Sequence, residues 1–266
     1  MARHSLLAFF SHPDDEIPVG SLLARCAAEG HDVYVVSITS GQKGYRPHFD
    51  MPAGDELGAV REAELRCSAR ALGIHEPFLL GFQDQGISTH DAAQEVAARL
   101  REIIGRTRPE VVLTWGPDGI TGHPDHRMTS NIATIVLQQH SLLAWKPSKL
   151  YYLAFPESRF AANPDPLNRK RPFLTVSDEF ITTEIDCREH LEPVLNAIRC
   201  HKTQWRPERM EQVHGFYAEV FEGRVHLRLA LSRVPLRQDG QREQSIFEGL
   251  DWISPAMLLR AANVLG

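Results

Sequence analysis

The sequence has no Cys-x-x-Cys pair. Its four cysteines, Cys26, Cys67, Cys187 and Cys200, are scattered over 266 residues, which argues against a structural zinc knuckle or a dithiol redox motif. Some fall in helical patterns, where a reduced, buried thiol behaves as a small apolar side chain. All four therefore read as core thiols in a reducing compartment. No apolar run reaches the ~18 residues that a membrane span needs. The start, Met1-Ala2-Arg3-His4-Ser5, passes straight into an apolar strand without an h-region or cleavage pattern, so a cytoplasmic protein is expected. Positive charge is not in excess: Lys and Arg number 29 against 34 acids, a net charge of -5. That leaves no electrostatic case for nucleic acid or an anionic membrane, and a small, mobile substrate is the simpler expectation. Also missing is a Gly-x-Gly-x-x-Gly turn after the first strand, which a nucleotide-dependent oxidoreductase would need. With no internal repeat, low-complexity segment or linker, one domain is the economical reading. Residues 1–205 form its main body and residues 206–266 an appended subregion.

In place of the glycine turn stands Ser11-His12-Pro13-Asp14-Asp15-Glu16, directly after the apolar run Leu6 to Phe10. A strand-to-helix turn needs one capping oxygen and an acid in the first turn. Three acids beside a histidine exceed that, and a cation would relieve their repulsion with His12 and a carboxylate as ligands. A second His-Pro-Asp lies in Trp115-Gly116-Pro117-Asp118-Gly119-Ile120-Thr121-Gly122-His123-Pro124-Asp125-His126, after the buried-strand pattern Val111-Val112-Leu113-Thr114. In an open parallel sheet of order 3-2-1-4-5 the first and fourth strands are neighbours, and the loops leaving their carboxyl ends line the ligand crevice.

On these residues the chain resembles the LmbE-like (PIG-L) family of zinc-dependent deacetylases of N-acetylglucosamine conjugates. The resemblance rests on His12-Pro13-Asp14-Asp15-Glu16, Thr39-Ser40-Gly41-Gln42-Lys43-Gly44, Arg61-Glu62-Ala63-Glu64 leading to Ala71-Leu72-Gly73-Ile74, and Gly122-His123-Pro124-Asp125-His126. Phe82-Gln83-Asp84 and His201-Lys202-Thr203-Gln204 add to it. It covers most of residues 4 to 205 and implies removal of an acetyl group from a small-molecule amino sugar by metal-activated water. It also implies zinc held by His12, Asp15 and His126, with Asp14 as general base, and brings in Arg61 and Asp84 as substrate-binding residues. Two departures stand out: Gln42 where the family often has Glu, which weakens any charge-based inference from that loop, and Ser11 where a smaller residue is common.

Apart from the resemblance, Arg61 reads as a solvated helix charge and Asp84 as a turn residue. Spacing alone does not decide whether His123 or His126 binds the metal. Read as the second donor, His123 would stabilise the oxyanion, with Asp125 orienting its ring and favouring its protonated form. Glu16 reads as a helix-start residue accepting backbone N–H bonds. His31, His75, His140 and His226 read as ordinary surface or helix-end residues, and His201 fits either a family landmark or a helix end. Two rival functions are an amidase cleaving a larger acyl group from a thiol conjugate of glucosamine and a non-catalytic carbohydrate-binding protein with a structural metal.

The expected fold is α/β: a Rossmann-like, mostly parallel sheet with helices on both faces. Strands are predicted over 6–10, 32–39, 77–82, 111–114, 149–155 and 180–185, and helices over 19–29, 60–72, 92–104, 127–140 and 188–201. Helix 127–140 is read with Ile132, Ile135 and Val136 facing inward. The long loop 40–58 reads as functional, and 163–172 as a solvated excursion. Period-two alternation over 216–231 around Glu222-Gly223 predicts a β-hairpin, whose edge would suit a homo-oligomer as well as its own sheet. A short helix is predicted over 255–265.

Overall fold

The structure, a computed structural model, describes residues 2–44, 52–161, 172–205, 207–235, 237 and 239–250. Seven strands, β1 Ser5–Phe10, β2 Asp32–Thr39, β3 Phe78–Phe82, β4 Val111–Trp115, β5 Lys149–Leu153, β6 Thr183–Asp186 and β7 Arg224–Ser232, form one sheet. Its order is β3-β2-β1-β4-β5-β7-β6. The first five pair in parallel, while β7 runs antiparallel to both of its neighbours. Helices are α1 Gly20–Ala28, α2 Gly54–Leu72, α3 His90–Thr107, the one-turn α4 Gly119–Gly122, α5 Pro124–Gln138, the one-turn α6 Glu157–Phe160, α7 Leu191–Cys200 and α8 Met210–Val220.

Because β1 is buried on both faces, its apolar run is continuous, and alternate residues serve two cores. Leu6, Ala8 and Phe10 pack with α1, α2, α7 and α8 on one face. Leu7 and Phe9 pack with α3 and α5 on the other. Among the described residues no helix is long and apolar enough to cross a membrane.

Several expectations need correction. The predicted hairpin is a helix followed by a strand: residues 210–220 form α8, and only residues 224–232 extend. Val213, Phe216 and Tyr217 are buried and Val220 packs against the same core. That is an i, i+3, i+4, i+7 stripe, and the aromatic residues in it raised the apparent strand propensity. Since β7 lies between β5 and β6, both its edges are used and give no argument for a second subunit. Helix α2 starts six residues before the predicted Val60, with Asp55 and Glu56 in its first turn, where acids favour the helix dipole. The sixth strand is shorter than expected, and Phe180 is exposed before it. Ile135 also points outward. His226 is buried on β7, not at the surface.

The cysteines differ as well. Cys67 on α2 and Cys200 at the end of α7 form a disulfide, while Cys26 and Cys187 are free and buried. The reading of four reduced core thiols holds for Cys26 and Cys187 and fails for Cys67 and Cys200. The pairing was hidden because 133 residues separate the partners. Residues 45–51 of the long loop, 163–171 of the predicted excursion and the predicted helix 255–265 lie outside the described residues.

Candidate metal centre

Strand order reverses at β1, so the loops after β1 and β4 open side by side at the carboxyl edge of the sheet. The second His-Pro-Asp is less of a loop than the sequence suggested. His123 is the N-cap of α5, and Pro124, Asp125 and His126 form its first turn, where proline lacks no needed donor and an acid suits the dipole. A hydrogen bond between the hydroxyls of Ser11 and Thr129, 2.7 Å, ties α5 to the β1 loop.

Three donor atoms converge. His12 Nδ1 lies 3.3 Å from His126 Nε2, and the Asp15 carboxylate reaches the two rings through different oxygens, Oδ2 3.5 Å from His12 Nδ1 and Oδ1 3.3 Å from His126 Nε2. Metal–nitrogen bonds of ~2.1 Å in a tetrahedral site place neighbouring donors about 3.4 Å apart, the spacing of the two ring nitrogens, and the triangle of two rings and one carboxylate suits a zinc-sized ion. The far nitrogen of each ring faces an acceptor: His12 Nε2 faces Asp125 Oδ2 at 3.2 Å and His126 Nδ1 faces the Gly119 carbonyl at 3.0 Å. A proton held there leaves a lone pair on each of the two facing nitrogens, as a metal ligand requires. Asp15 Oδ2 accepts from the backbone N–H groups of Ser11 and His12 and from Trp115 Nε1, which leaves Oδ1 toward His126.

The field at this point is negative. Burial pushes His12 toward neutrality, yet Asp15, Asp125 and Asp84 outweigh it and hold its pKa well above the usual value. Burial likewise opposes ionisation of Asp15, but His126 and His12 hold its carboxyl well below the ordinary range. A positive charge between these groups is favoured, and the residues fit a metal cation.

His123 also brings a ring nitrogen within 4.8 Å of donors on His12 and His126, and donors on His12, Asp84 and Asp125 form a second group within 4.8 Å of one another. The expectation that Asp125 orients His123 is not met: its carboxylate sits on His12 and on the backbone N–H of Gln85. What holds His123 is backbone, since its Nδ1 accepts from the Asp125 N–H at 3.2 Å. Nor is the ring poised to be protonated. Burial, His12 and His126 push it down to about 4, so neutral His123 carries its proton on Nε2.

Asp14 stands beside the donor triangle with a backbone φ of 111°, a region that non-glycine residues rarely enter. Burial raises its pKa against the pull of Arg61. Arg61 is not a surface charge. Its side chain is 3% exposed, with Nη1 on the Gly41 carbonyl and Nη2 on the Pro13 carbonyl and on Asp14 Oδ1 at 3.0 Å. Gly41 has a φ of 67°, and a Cβ there would come within 2.2 Å of the guanidinium; the glycine loop closes on this side chain. Asp84 is buried against His12 Nε2 at 3.3 Å, and its Oδ2 accepts from the Lys43 N–H. Gln42, the departure in that loop, accepts from the Asp84 N–H. Arg61 and Asp84 thus both face inward, toward the two His-Pro-Asp segments.

Four residues play parts here that the sequence reading did not give them. Trp115 stacks on His126, ring centroids 4.3 Å apart, while donating to Asp15. Its place at the end of a strand pointing into the crevice was the available signal. Glu16 and His201 form a buried pair, Oε1 to Nε2 at 2.6 Å, so His201 is no ordinary helix end. Ser68 donates to the same Glu16 oxygen, and nothing in the pattern of α2 marked it.

The family model described as PIG-L, GlcNAc-PI de-N-acetylase, matches residues 7–137. A 1D-myo-inositol 2-acetamido-2-deoxy-alpha-D-glucopyranoside deacetylase of Rhodococcus opacus is 34% identical over 241 residues, covering 77% of this chain and 82% of that protein. Among solved structures, N,N'-diacetylchitobiose deacetylase from Pyrococcus horikoshii aligns with a TM-score of 0.64 at 22% identity, covering 85% of this chain and 83% of that one. A 4-carboxy-2-hydroxymuconate hydratase from Pseudomonas putida reaches the same TM-score at 17% identity, covering 88% and 99%, so the fold alone does not fix the reaction. Taken with the paired His-Pro-Asp motifs and the identity to the Rhodococcus enzyme, the match places the chain in the PIG-L, or LmbE-like, family of deacetylases.

Proposed function

We propose that the protein is a zinc-dependent hydrolase that removes the acetyl group from a small N-acetylglucosamine-type conjugate. His12 Nδ1, His126 Nε2 and the Asp15 carboxylate would hold the ion. The observation that carries the reading is their convergence beside Asp14, a carboxylate outside the donor triangle. Zinc, when bound, supplies a Lewis acid that makes water acidic near neutral pH and polarises a carbonyl.

Asp14, held by Arg61, takes a proton from water as the hydroxyl adds to the acetamide carbonyl carbon. His123 Nε2–H donates to the carbonyl oxygen as charge develops there. A neutral His123 would have to become an imidazolate to protonate the leaving group. Asp14 therefore returns its proton to nitrogen as the C–N bond breaks, giving acetate and the free amine. Arg61 serves the substrate through Asp14, not by contact.

The test is zinc content and amine release from the inositol conjugate of N-acetylglucosamine, with free N-acetylglucosamine and longer acyl analogues beside it, for wild type and Asp14→Ala. Wild type should hold one zinc and release amine, and Asp14→Ala should keep the zinc and lose activity by about 10²- to 10⁴-fold. Wild type that holds zinc but releases amine only from the longer acyl analogues is an amidase. No release from any substrate refutes the substrate class, and no zinc refutes the mechanism.

A further inference from the structure

Asp14 occupies a backbone conformation, φ 111°, that non-glycine residues rarely adopt and that persists only where surrounding groups over-determine it. On one side Arg61 grips the Pro13 carbonyl and the Asp14 carboxylate. On the other, the Asp14 N–H donates to Glu16 Oε2 at 3.1 Å. Glu16 is buried. It precedes the short 3-10 turn Ile17–Val19, yet its side chain makes no capping bond to that turn. Glu16 thus stands at a helix start and accepts a backbone N–H, as expected, but that N–H lies upstream, on Asp14, not in the turn.

The other oxygen of Glu16 accepts from Ser68 Oγ and His201 Nε2. His201 is fully buried, and its Nδ1 has no hydrogen-bond partner among the described residues. Ser68 and His201 immediately follow Cys67 and Cys200, which are joined covalently. The cross-link thus fixes the spacing of the two donors that aim Glu16.

We propose that Glu16, oriented by Ser68 and His201, is a positioning residue that holds Asp14 in its reactive conformation. This rests on Asp14 being the base in the function proposed above. It is tested on the zinc-loaded full chain by kcat, KM, zinc content and amide hydrogen exchange at Asp14, for Glu16→Ala, Glu16→Gln and Ser68→Ala.

Glu16→Ala should lower kcat by about 10²-fold, the effect of a misplaced reacting group, with KM within about twofold and zinc retained. Asp14 N–H exchange should quicken by about tenfold as its hydrogen bond is lost. Glu16→Gln should restore part of both, since its one carbonyl oxygen can still accept from Asp14 while its NH2, which cannot accept, faces Ser68 and His201. Ser68→Ala, which removes one of three donors, should fold and show the same changes in milder form. Unchanged exchange at Asp14 in folded Glu16→Ala or Ser68→Ala overturns the proposal, as does a Gln variant no better than Ala. If exchange responds as expected but wild type releases no amine, the positioning stands and the deacetylase reading falls. If wild type releases amine and Glu16→Ala keeps full kcat, the deacetylase stands and the positioning falls.

Discussion

Asp125 acts across the fold, not along the chain. Fully buried in the first turn of α5, it accepts from His12 Nε2 and the Gln85 N–H through one oxygen, while the other has no hydrogen-bond partner among the described residues. Asp125→Asn preserves shape but removes the charge that draws the proton to His12 Nε2 and frees Nδ1 for metal. Zinc affinity should fall by about 10- to 100-fold, measured by competition with a chromophoric chelator. Affinity equal to wild type would mean that Asp125 does not orient His12. The histidines and acids of the donor set were legible because each motif is contiguous and its chemistry exceeds what a turn needs. Their partners were not. Sequence proximity suggested Asp125 for His123, but a side chain one turn into a helix points toward the neighbouring strand's loop. Arg61 was misread for a related reason: helical periodicity assigns a charge to the outside, whereas here two carbonyls and a carboxylate satisfy it inside.

At the scale of elements, α2 carries a polar seam, with Arg61 on the β1 loop, Glu64 accepting from the N–H and hydroxyl of Thr203, and Ser68 on Glu16. The cystine fastens the same helix to α7. In the chain-entropy account, closing a loop of this length stabilises the fold chiefly by restricting the unfolded chain. Replacing both half-cystines by serine should lower the unfolding free energy by about 2–4 kcal/mol, read as a lower urea midpoint. A dithiol reductant should do the same to wild type and nothing to the double variant. A wild-type midpoint indifferent to reductant would show that the bond does not form in solution. The strands β1 to β5 and their order were readable from buried runs and the parallel crossover rule. Residues 216–220 were not, because aromatic side chains serve a strand face and a helix stripe equally well.

For the molecule as a whole, the antiparallel β7 carries a buried titratable group, His226, within the sheet. His226 on β7 is pushed down to about 4: burial dominates and Arg159, Arg242 and Arg224 add to it, against the opposing pull of Glu184. Its imidazole titrates near ~6.5 in the unfolded chain, so between these values the unfolded state binds the extra proton. The contribution of neutral His226 is complete above pH ~6.5 and is lost as pH falls toward 4, with a slope of at most about 1.4 kcal/mol per pH unit. Other groups, the metal ligands included, titrate in the same interval, so the informative quantity is the difference between proteins. Urea unfolding at a series of pH values should give wild type a steeper decline from pH 6.5 to 4 than His226→Gln, while above pH 7 the two curves run parallel. Equal slopes through that interval would place the proton uptake elsewhere. A steeper decline in the variant would mean that Glu184, 3.6 Å from the ring, stabilises a protonated His226 and outweighs its burial.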